Sequence, residues 1–284
     1  MDRLSPRELD LHLRDLLAED IGSGDVTTDS TVADDIRARG TLVARSAAVV
    51  SGLPIARRVF ELLDPGFTWE QEQSAGTSVA PGAALARLSG RAREMLTAER
   101  VALNLLQRMC GIALTTRRFV DAVAGTGCQI WDTRKTAPGL RVFDRLAVKD
   151  GGGTNHRDGL FDAVLIKDNH LRLAGGVRSA VERARSRAPR GMKVQVEVES
   201  EDQLREALAA QVDALLIDNQ TPETLRRWCQ VARQAARPPW IEASGGIQLQ
   251  NVRAYAEAGP DAISVGALTH SVIAADIALD MEAA

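Results

Sequence analysis

Asp132-Thr133-Arg134-Lys135-Thr136, Lys149-Asp150-Gly151-Gly152-Gly153-Thr154-Asn155-His156-Arg157 and Ala163-Val164-Leu165-Ile166-Lys167-Asp168-Asn169-His170 are three pieces of one stretch of this chain. Polar clusters stand at the ends of short apolar runs or on a glycine-rich loop. Moving outward, the pattern repeats. Ile130-Trp131 leads into Asp132, Val194-Gln195-Val196 into Glu197, Ala214-Leu215-Leu216-Ile217 into Asp218, Trp240-Ile241 into Glu242, and Ala262-Ile263-Ser264-Val265 into Gly266. Helical patterns over 200–211, 222–236 and 249–258 separate the later runs. Short, continuously apolar strands alternating with helices predict parallel strands covered by helices. Such a series either closes as a barrel or lies open as a doubly wound sheet. Polar residues at most strand ends, rather than at one switch point, favour the barrel, with its site at the C-terminal rim. No Gly-x-Gly-x-x-Gly follows the first strand, which disfavours a dinucleotide fold. Fewer than eight strands are visible, so the barrel is expected to be incomplete.

The N-terminal part reads differently. Ser5, Pro6 and Glu8 form a helix-start signature, and Leu9, Leu13, Leu16 and Leu17 fall on one face of the helix that follows. Short strand-like runs lie at 40–46, 49–52, 67–70 and 84–88, separated by turns such as Asp64-Pro65-Gly66 and Pro81-Gly82. A helix is predicted over 56–63. A long helical pattern follows over 93–123, with a possible break at Gly111. The expected division is an α/β sandwich domain over 1–112 and a barrel domain over 113–271. The closing residues, 267–284, read as a helix whose last part, 272–284, packs back on the first domain. His12, away from any polar cluster, reads as a surface residue.

The chain has 284 residues and a formal net charge of −3. That charge, with few aromatic residues, argues against a nucleic-acid partner. Cys110, Cys128 and Cys229 have no metal-ligand spacing and read as reduced, buried residues of a cytoplasmic protein. No signal peptide is expected, and no apolar run approaches the ~20 residues needed to cross a bilayer, so no membrane partner is expected.

Arg134, Arg157 and Lys167 would repel one another on one rim without an anion. Guanidinium forks and a lysine ammonium suit a small di-acid or a phosphate. Ion pairing with Asp132, Asp168 or Asp218 is the simpler alternative. Gly151-Gly152-Gly153 reads as a flexible turn or as a backbone nest for an anion. Ser244-Gly245-Gly246 and Gly266-Ala267-Leu268-Thr269-His270 are two more such elements, placed where barrels commonly bind phosphate. Glu197 and Asp218 on adjacent strands fit magnesium, ribose hydroxyls or simple balance of Lys135 and Lys167.

Taken together, these motifs resemble the quinolinate phosphoribosyltransferase family (nicotinate-nucleotide pyrophosphorylase, carboxylating). The resemblance rests on Glu19 to Thr28, Glu99 to Gln107, Asp132 to Arg141, Gly151 to Arg157, Leu165 to His170, Val196 to Glu199, Ile217-Asp218-Asn219, Glu242 to Ile247 and Leu268 to Ser271. Ala137 departs from it, where a threonine is common. The resemblance implies an α/β fold: an N-terminal open-faced α/β sandwich plus an incomplete α/β barrel, type II phosphoribosyltransferase-like. It also implies Mg2+-dependent conversion of quinolinate and phosphoribosyl pyrophosphate to nicotinate mononucleotide, pyrophosphate and CO2, in a homodimer. Arg134, His156, Arg157 and Lys167 are implied to hold quinolinate, and Arg100 to complete the neighbouring subunit's site. Lys135, Glu197, Asp218, Ser244, Gly245, Gly246, Gly266 and His270 are implied to meet the phosphoribosyl substrate. Of these, Lys135, Glu197 and Asp218 are the implied catalytic groups, with Glu197 and Asp218 at the metal. The rivals are a molybdenum-uptake-associated phosphoribosyltransferase-like protein, a Schiff-base lyase using Lys135 or Lys167, and a non-catalytic dimeric scaffold.

Overall fold

A computed structural model describes residues 5–284. The chain opens with helix α1 (Pro6–Ile21). Ser5 Oγ accepts from Glu8 N, and Glu8 Oε2 accepts from Ser5 N, so two end donors are satisfied reciprocally. Next come α2 (Val26–Thr31), β1 (Arg37–Ala44), β2 (Ala48–Val49), α3 (Leu53–Leu63), β3 (Thr68–Gln71), β4 (Ser78–Val79), β5 (Ala84–Arg91) and α4 (Ala92–Ala122). Then follow β6 (Gln129–Trp131), α5 (Arg141–Asp150), β7 (Val164–Ile166), α6 (Asp168–Ala174), α7 (Val177–Arg187), β8 (Val194–Val198) and α8 (Glu201–Ala209). The chain ends through β9 (Ala214–Asp218), α9 (Pro222–Arg233), β10 (Trp240–Ser244), α10 (Val252–Ala256), β11 (Ala262–Ser264), α11 (Ala267–His270) and β12 (Ile277–Ala283).

These elements form two compact units. One holds the described residues up to Arg117, Thr136–Gly152 and Thr269–Ala284; the other holds Arg118–Lys135 and Gly153–Leu268. The first is built on an antiparallel sheet in the order β12-β1-β5-β3. Along β1, Ala38, Gly40, Leu42 and Ala44 are buried while Arg39, Thr41 and Val43 are not. One face therefore belongs to the core and the other stays open, the alternation expected of such a sheet.

The structure corrects several expectations in this unit. The last residues form strand β12, not a helix, and it pairs with β1 from Ala38↔Ala283 to Ala44↔Ile277. Ile277, Leu279 and Met281 alternate with Ala278, Asp280 and Glu282, a period of two that helix-forming residue types obscure. Gly111 does not break α4. A Cβ there would lie 2.1 Å from the Ile273 carbonyl oxygen, so the glycine lets the closing segment cross the helix. Helix α3 starts at Leu53, three residues earlier than predicted. Gly52 before it has φ +87°, and Pro54 stands in its first turn. His12 is half-buried rather than exposed: its ring meets Phe143 edge-on at 5.3 Å.

The second unit carries the strand series foreseen from the apolar runs. Its sheet runs β6-β11-β10-β9-β8-β7, with every pairing parallel. No ladder joins β6 to β7 among the described residues, so the series is short of a closed eight-stranded barrel. On the outer side of β6, Thr154 makes a single parallel bridge to Trp131. Asp132 N donates to Thr154 O at 3.0 Å, and Thr154 N to Ile130 O at 2.8 Å. The end of the glycine loop thus behaves as a minimal strand, and His156 and Arg157 come off it at the same end as the residues after β6.

Candidate active site

Parallel register decides which side chains meet. Glu197 and Glu242 both pair with Leu216, one level below Asp218, which pairs with Ser244. Side chains alternate along a strand, so Gln195, Glu197 and Glu199 share one face with Leu216, Asp218, Glu242 and Ser244. Lys167 follows Ile166, the partner of Val196, and so stands opposite Glu197.

The Lys167 ammonium contacts Glu197, which is buried. The ion-pair reading therefore holds for this pair. Glu197, Glu199 and Asp218 each offer a carboxylate oxygen, and these atoms lie within 4.8 Å of one another. Burial, then the carboxylates of Glu197 and Glu199, push the Asp218 carboxyl above its ordinary range, although Lys167 and Lys135 oppose them. The turn behind Asp218 is tightly built. Asn219, at φ +54°, donates from its backbone to Ser244 O at 3.0 Å and from its amide to Asp218 Oδ2 at 2.6 Å. Gly245 has φ +89°, and a Cβ on it would fall 2.2 Å from Asn219 Oδ1. Only glycine fits this approach of two strand ends.

The cationic side is equally constrained. Arg157 is half-buried and donates from Nη1 to Ala163 O at 3.0 Å. Burial and the nearby Arg134 guanidinium pull Arg157 below its ordinary range, with Asp162 opposing. A half-buried guanidinium under the influence of a second cation is suited to a counter-anion. His156 sits next to Arg157, its Nε2 3.1 Å from Glu242 Oε2. Glu242 is fully buried and also accepts from Gln195 Nε2 at 2.7 Å. Burial alone would raise this carboxyl. Hydrogen bonds from His156, Ser264 and Gln195 outweigh it and hold the group below the usual range.

Lys135 is exposed just beyond β6, and Gly266 is half-buried just beyond β11. Gly246, at φ +63°, completes the turn after β10. Arg100 and His270 belong to the other unit. Arg100 is exposed on α4, beside a cavity of about 440 Å³ lined by Asp20, Asp25, Thr27 and Thr97. His270 is exposed, its Nδ1 2.7 Å from Ser271 Oγ.

Two groups of this region were not singled out from the sequence. Glu199 joins the carboxylate cluster, and its signal was present: in Val196-Glu197-Val198-Glu199, a period of two puts both glutamates on one face. Buried Glu242 pairs with half-buried Gln195. Nothing in a single sequence distinguishes Glu242 from any other charge at a strand end.

Comparison with known proteins agrees with this geometry. The model of the quinolinate phosphoribosyl transferase N-terminal domain matches residues 25–110, and that of the C-terminal domain matches residues 112–280. A probable nicotinate-nucleotide pyrophosphorylase (carboxylating) from Bacillus subtilis is 40% identical over 269 residues, covering 95% of this chain and 92% of that protein. A nicotinate-nucleotide pyrophosphorylase (carboxylating) from Mycobacterium leprae is 41% identical over 274 residues, covering 95% of each. Among solved structures, NadC from Streptococcus pyogenes superposes with a TM-score of 0.93 at 36% identity over 99% of both chains. With both family models adjoining along the chain and near-full-length relatives at this identity, the chain belongs to the quinolinate phosphoribosyltransferase family.

Proposed function

We propose that this chain transfers a phosphoribosyl group from phosphoribosyl pyrophosphate to quinolinate with loss of CO2, giving nicotinate mononucleotide and pyrophosphate for NAD biosynthesis. The observation that carries this reading is the three-carboxylate cluster of Glu197, Glu199 and Asp218 beside Lys167, on the unit that also holds half-buried Arg134 and Arg157. Family membership and the relatives' names supply the reaction; this charge arrangement supplies the logic.

Arg134, Arg157 and Lys167 receive the two quinolinate carboxylates, and His156 belongs to the same pocket. Lys135 neutralises charge on the departing pyrophosphate. Ser244, Gly245, Gly246, Gly266 and His270 serve the phosphates through hydroxyl, imidazole and backbone N–H groups. Loss of pyrophosphate builds positive charge at the anomeric carbon, which the carboxylates of Glu197 and Asp218 stabilise. The pyridine nitrogen attacks without deprotonation, so no strong general base is required. Once alkylated and positive, it stabilises the electron pair left on the adjacent ring carbon when that carboxylate departs as CO2, and a proton from solvent then forms the new C–H bond. The protein's contribution is mainly orientation and charge placement.

The clustered oxygens of Glu197, Glu199 and Asp218 fit a hard divalent cation, and we assign Mg2+ to Glu197 and Asp218. When bound, Mg2+ supplies charge stabilisation to the leaving group. We further propose a cytoplasmic homodimer in which Arg100 completes the neighbouring site. We place the functional division at 112/113, near where the two family models meet, and take 272–284 to serve the N-terminal domain because β12 pairs with β1. No helix among the described residues is long and apolar enough to cross a membrane.

The test is formation of CO2 and nicotinate mononucleotide from quinolinate, phosphoribosyl pyrophosphate and Mg2+, with nicotinate in parallel. Turnover of quinolinate alone is expected. Turnover of nicotinate at a comparable rate would remove the di-acid reading of the cation cluster.

A further inference from the structure

The hydrogen bonds around His156 give it a part other than carrying a substrate carboxylate. The Arg157 backbone N–H donates to His156 Nδ1 at 2.7 Å. A backbone amide can only donate, so Nδ1 holds the lone pair and the ring proton sits on Nε2. Nε2 faces Glu242 Oε2 at 3.1 Å, and the buried carboxylate is the acceptor there. Both ring nitrogens are therefore used within the protein. The same residue is fixed through its backbone, because His156 N donates to Oδ1 of the fully buried Asp132 at 2.7 Å. Trp131 packs edge-on against the imidazole at 5.4 Å. Glu242 is fixed in turn by Gln195 on β8. A continuous hydrogen-bonded path thus runs from β8 through Gln195, Glu242 and the imidazole to the Arg157 amide.

We infer that His156 is a positioning residue: it ties the Arg157 backbone to buried Glu242, and so aims the guanidinium, without itself donating to the di-acid. The kinetic meaning of this inference rests on the di-acid reading above; the assignment of the ring proton does not.

Two measurements on the full-length protein test it. The first is ring-nitrogen NMR of ¹⁵N-histidine-labelled protein, with His156 assigned through H156N. One protonated Nε2 and one lone-pair Nδ1 are expected, unchanged on saturation with quinolinate. A doubly protonated ring, or a proton moving to Nδ1 when quinolinate binds, would overturn the inference.

The second is a thermodynamic cycle of H156A and R157A, read as quinolinate affinity by calorimetry. H156A alone is expected to weaken quinolinate binding roughly 10-fold, while changing phosphoribosyl pyrophosphate affinity less than about 2-fold. In the R157A background, H156A is expected to add less than about 2-fold. Asparagine retains an acceptor for the Arg157 amide, so H156N should lie nearer the wild type than H156A. Fully additive losses would mean that His156 contacts the ligand independently. Failure of the wild-type protein to bind or turn over quinolinate would remove the di-acid reading, and the NMR result would still decide the role of the ring.

Discussion

Two acidic groups on one sheet face behave in opposite ways. Glu242 is fully buried, yet its carboxyl lies below the ordinary range, chiefly because of the His156 imidazole and with Gln195 also bonding to it. Asp218 is less buried, yet its carboxyl is raised, because burial is joined by the carboxylates of Glu197 and Glu199 and only opposed in part by Lys167 and Lys135. Burial does not decide the outcome; the donors supplied do. Glu242 is a buried charge that the fold supplies with two donors on Oε2, from His156 and Gln195, while its Oε1 has no partner among the described residues. The Asp218 cluster is left with mutual repulsion that a cation or a cationic transition state would relieve. The two kinds of carboxylate are separated here by hydrogen-bond inventory within a few ångströms of chain register.

The strongest attempt to break this distinction is on the cationic side. On the proposed pocket, Arg134→Ala, Arg157→Ala and Lys167→Ala should each lower kcat/KM for quinolinate about 100-fold or more, since each removes a charge assigned to the di-acid. Their far-ultraviolet circular dichroism should stay close to wild type, with some loss of stability in Lys167→Ala because buried Glu197 loses its partner. Near-normal turnover in all three variants would end the pocket assignment.

Stability should split the two acidic groups next. Glu242→Ala leaves Gln195 and the His156 Nε2–H without their buried acceptor, and should cost about 2–4 kcal/mol in urea unfolding. Asp218→Asn removes a repulsive charge and should cost less than about 1 kcal/mol, or stabilise slightly, while turnover falls sharply. Equal destabilisation by both changes would erase the contrast. A parallel measurement follows the metal: Mg2+ should raise the wild-type melting temperature, and Asp218→Asn should remove most of that rise.

Which parts were legible in the sequence follows from the same physics. The parallel strands were legible because each is a continuous apolar run ending in a polar residue, as at Ile217-Asp218. The α1 start was legible because Ser5, Pro6 and Glu8 carry their mechanism locally. Strand β12 was not: Ala278, Met281 and Glu282 favour helices, and only pairing with distant β1 overrides them. Gly111 read as a break because its reason lies at Ile273, far away in sequence. The cations proposed for the site stand out by residue type and motif. Glu242 was not, since its role depends on Gln195 and His156 converging from separate elements. Local chemistry can be read along the chain; a buried hydrogen-bond inventory cannot.

The smallest expected effect sharpens the comparison furthest, because it separates the two groups by sign. The Glu242 carboxyl is depressed by folding. Its stabilising contribution is present above the unfolded value of about 4.5 and is lost as pH falls through the folded value. The Asp218 carboxyl is raised by folding. Its contribution is most favourable below the unfolded value of about 3.8 and is lost as pH rises through the folded value. Unfolding free energy measured in urea from pH 3 to pH 7 should therefore respond oppositely to two isosteric changes. Glu242→Gln should lessen the wild-type loss of stability on acidification. Asp218→Asn should steepen it, because it removes the group that resists acid. Slopes that shift in the same direction for both variants would mean that one carboxylate has been assigned the wrong environment. Added Mg2+ gives a control with a predicted sign of its own: it should act on the Asp218 side of the comparison and leave the Glu242→Gln difference unchanged.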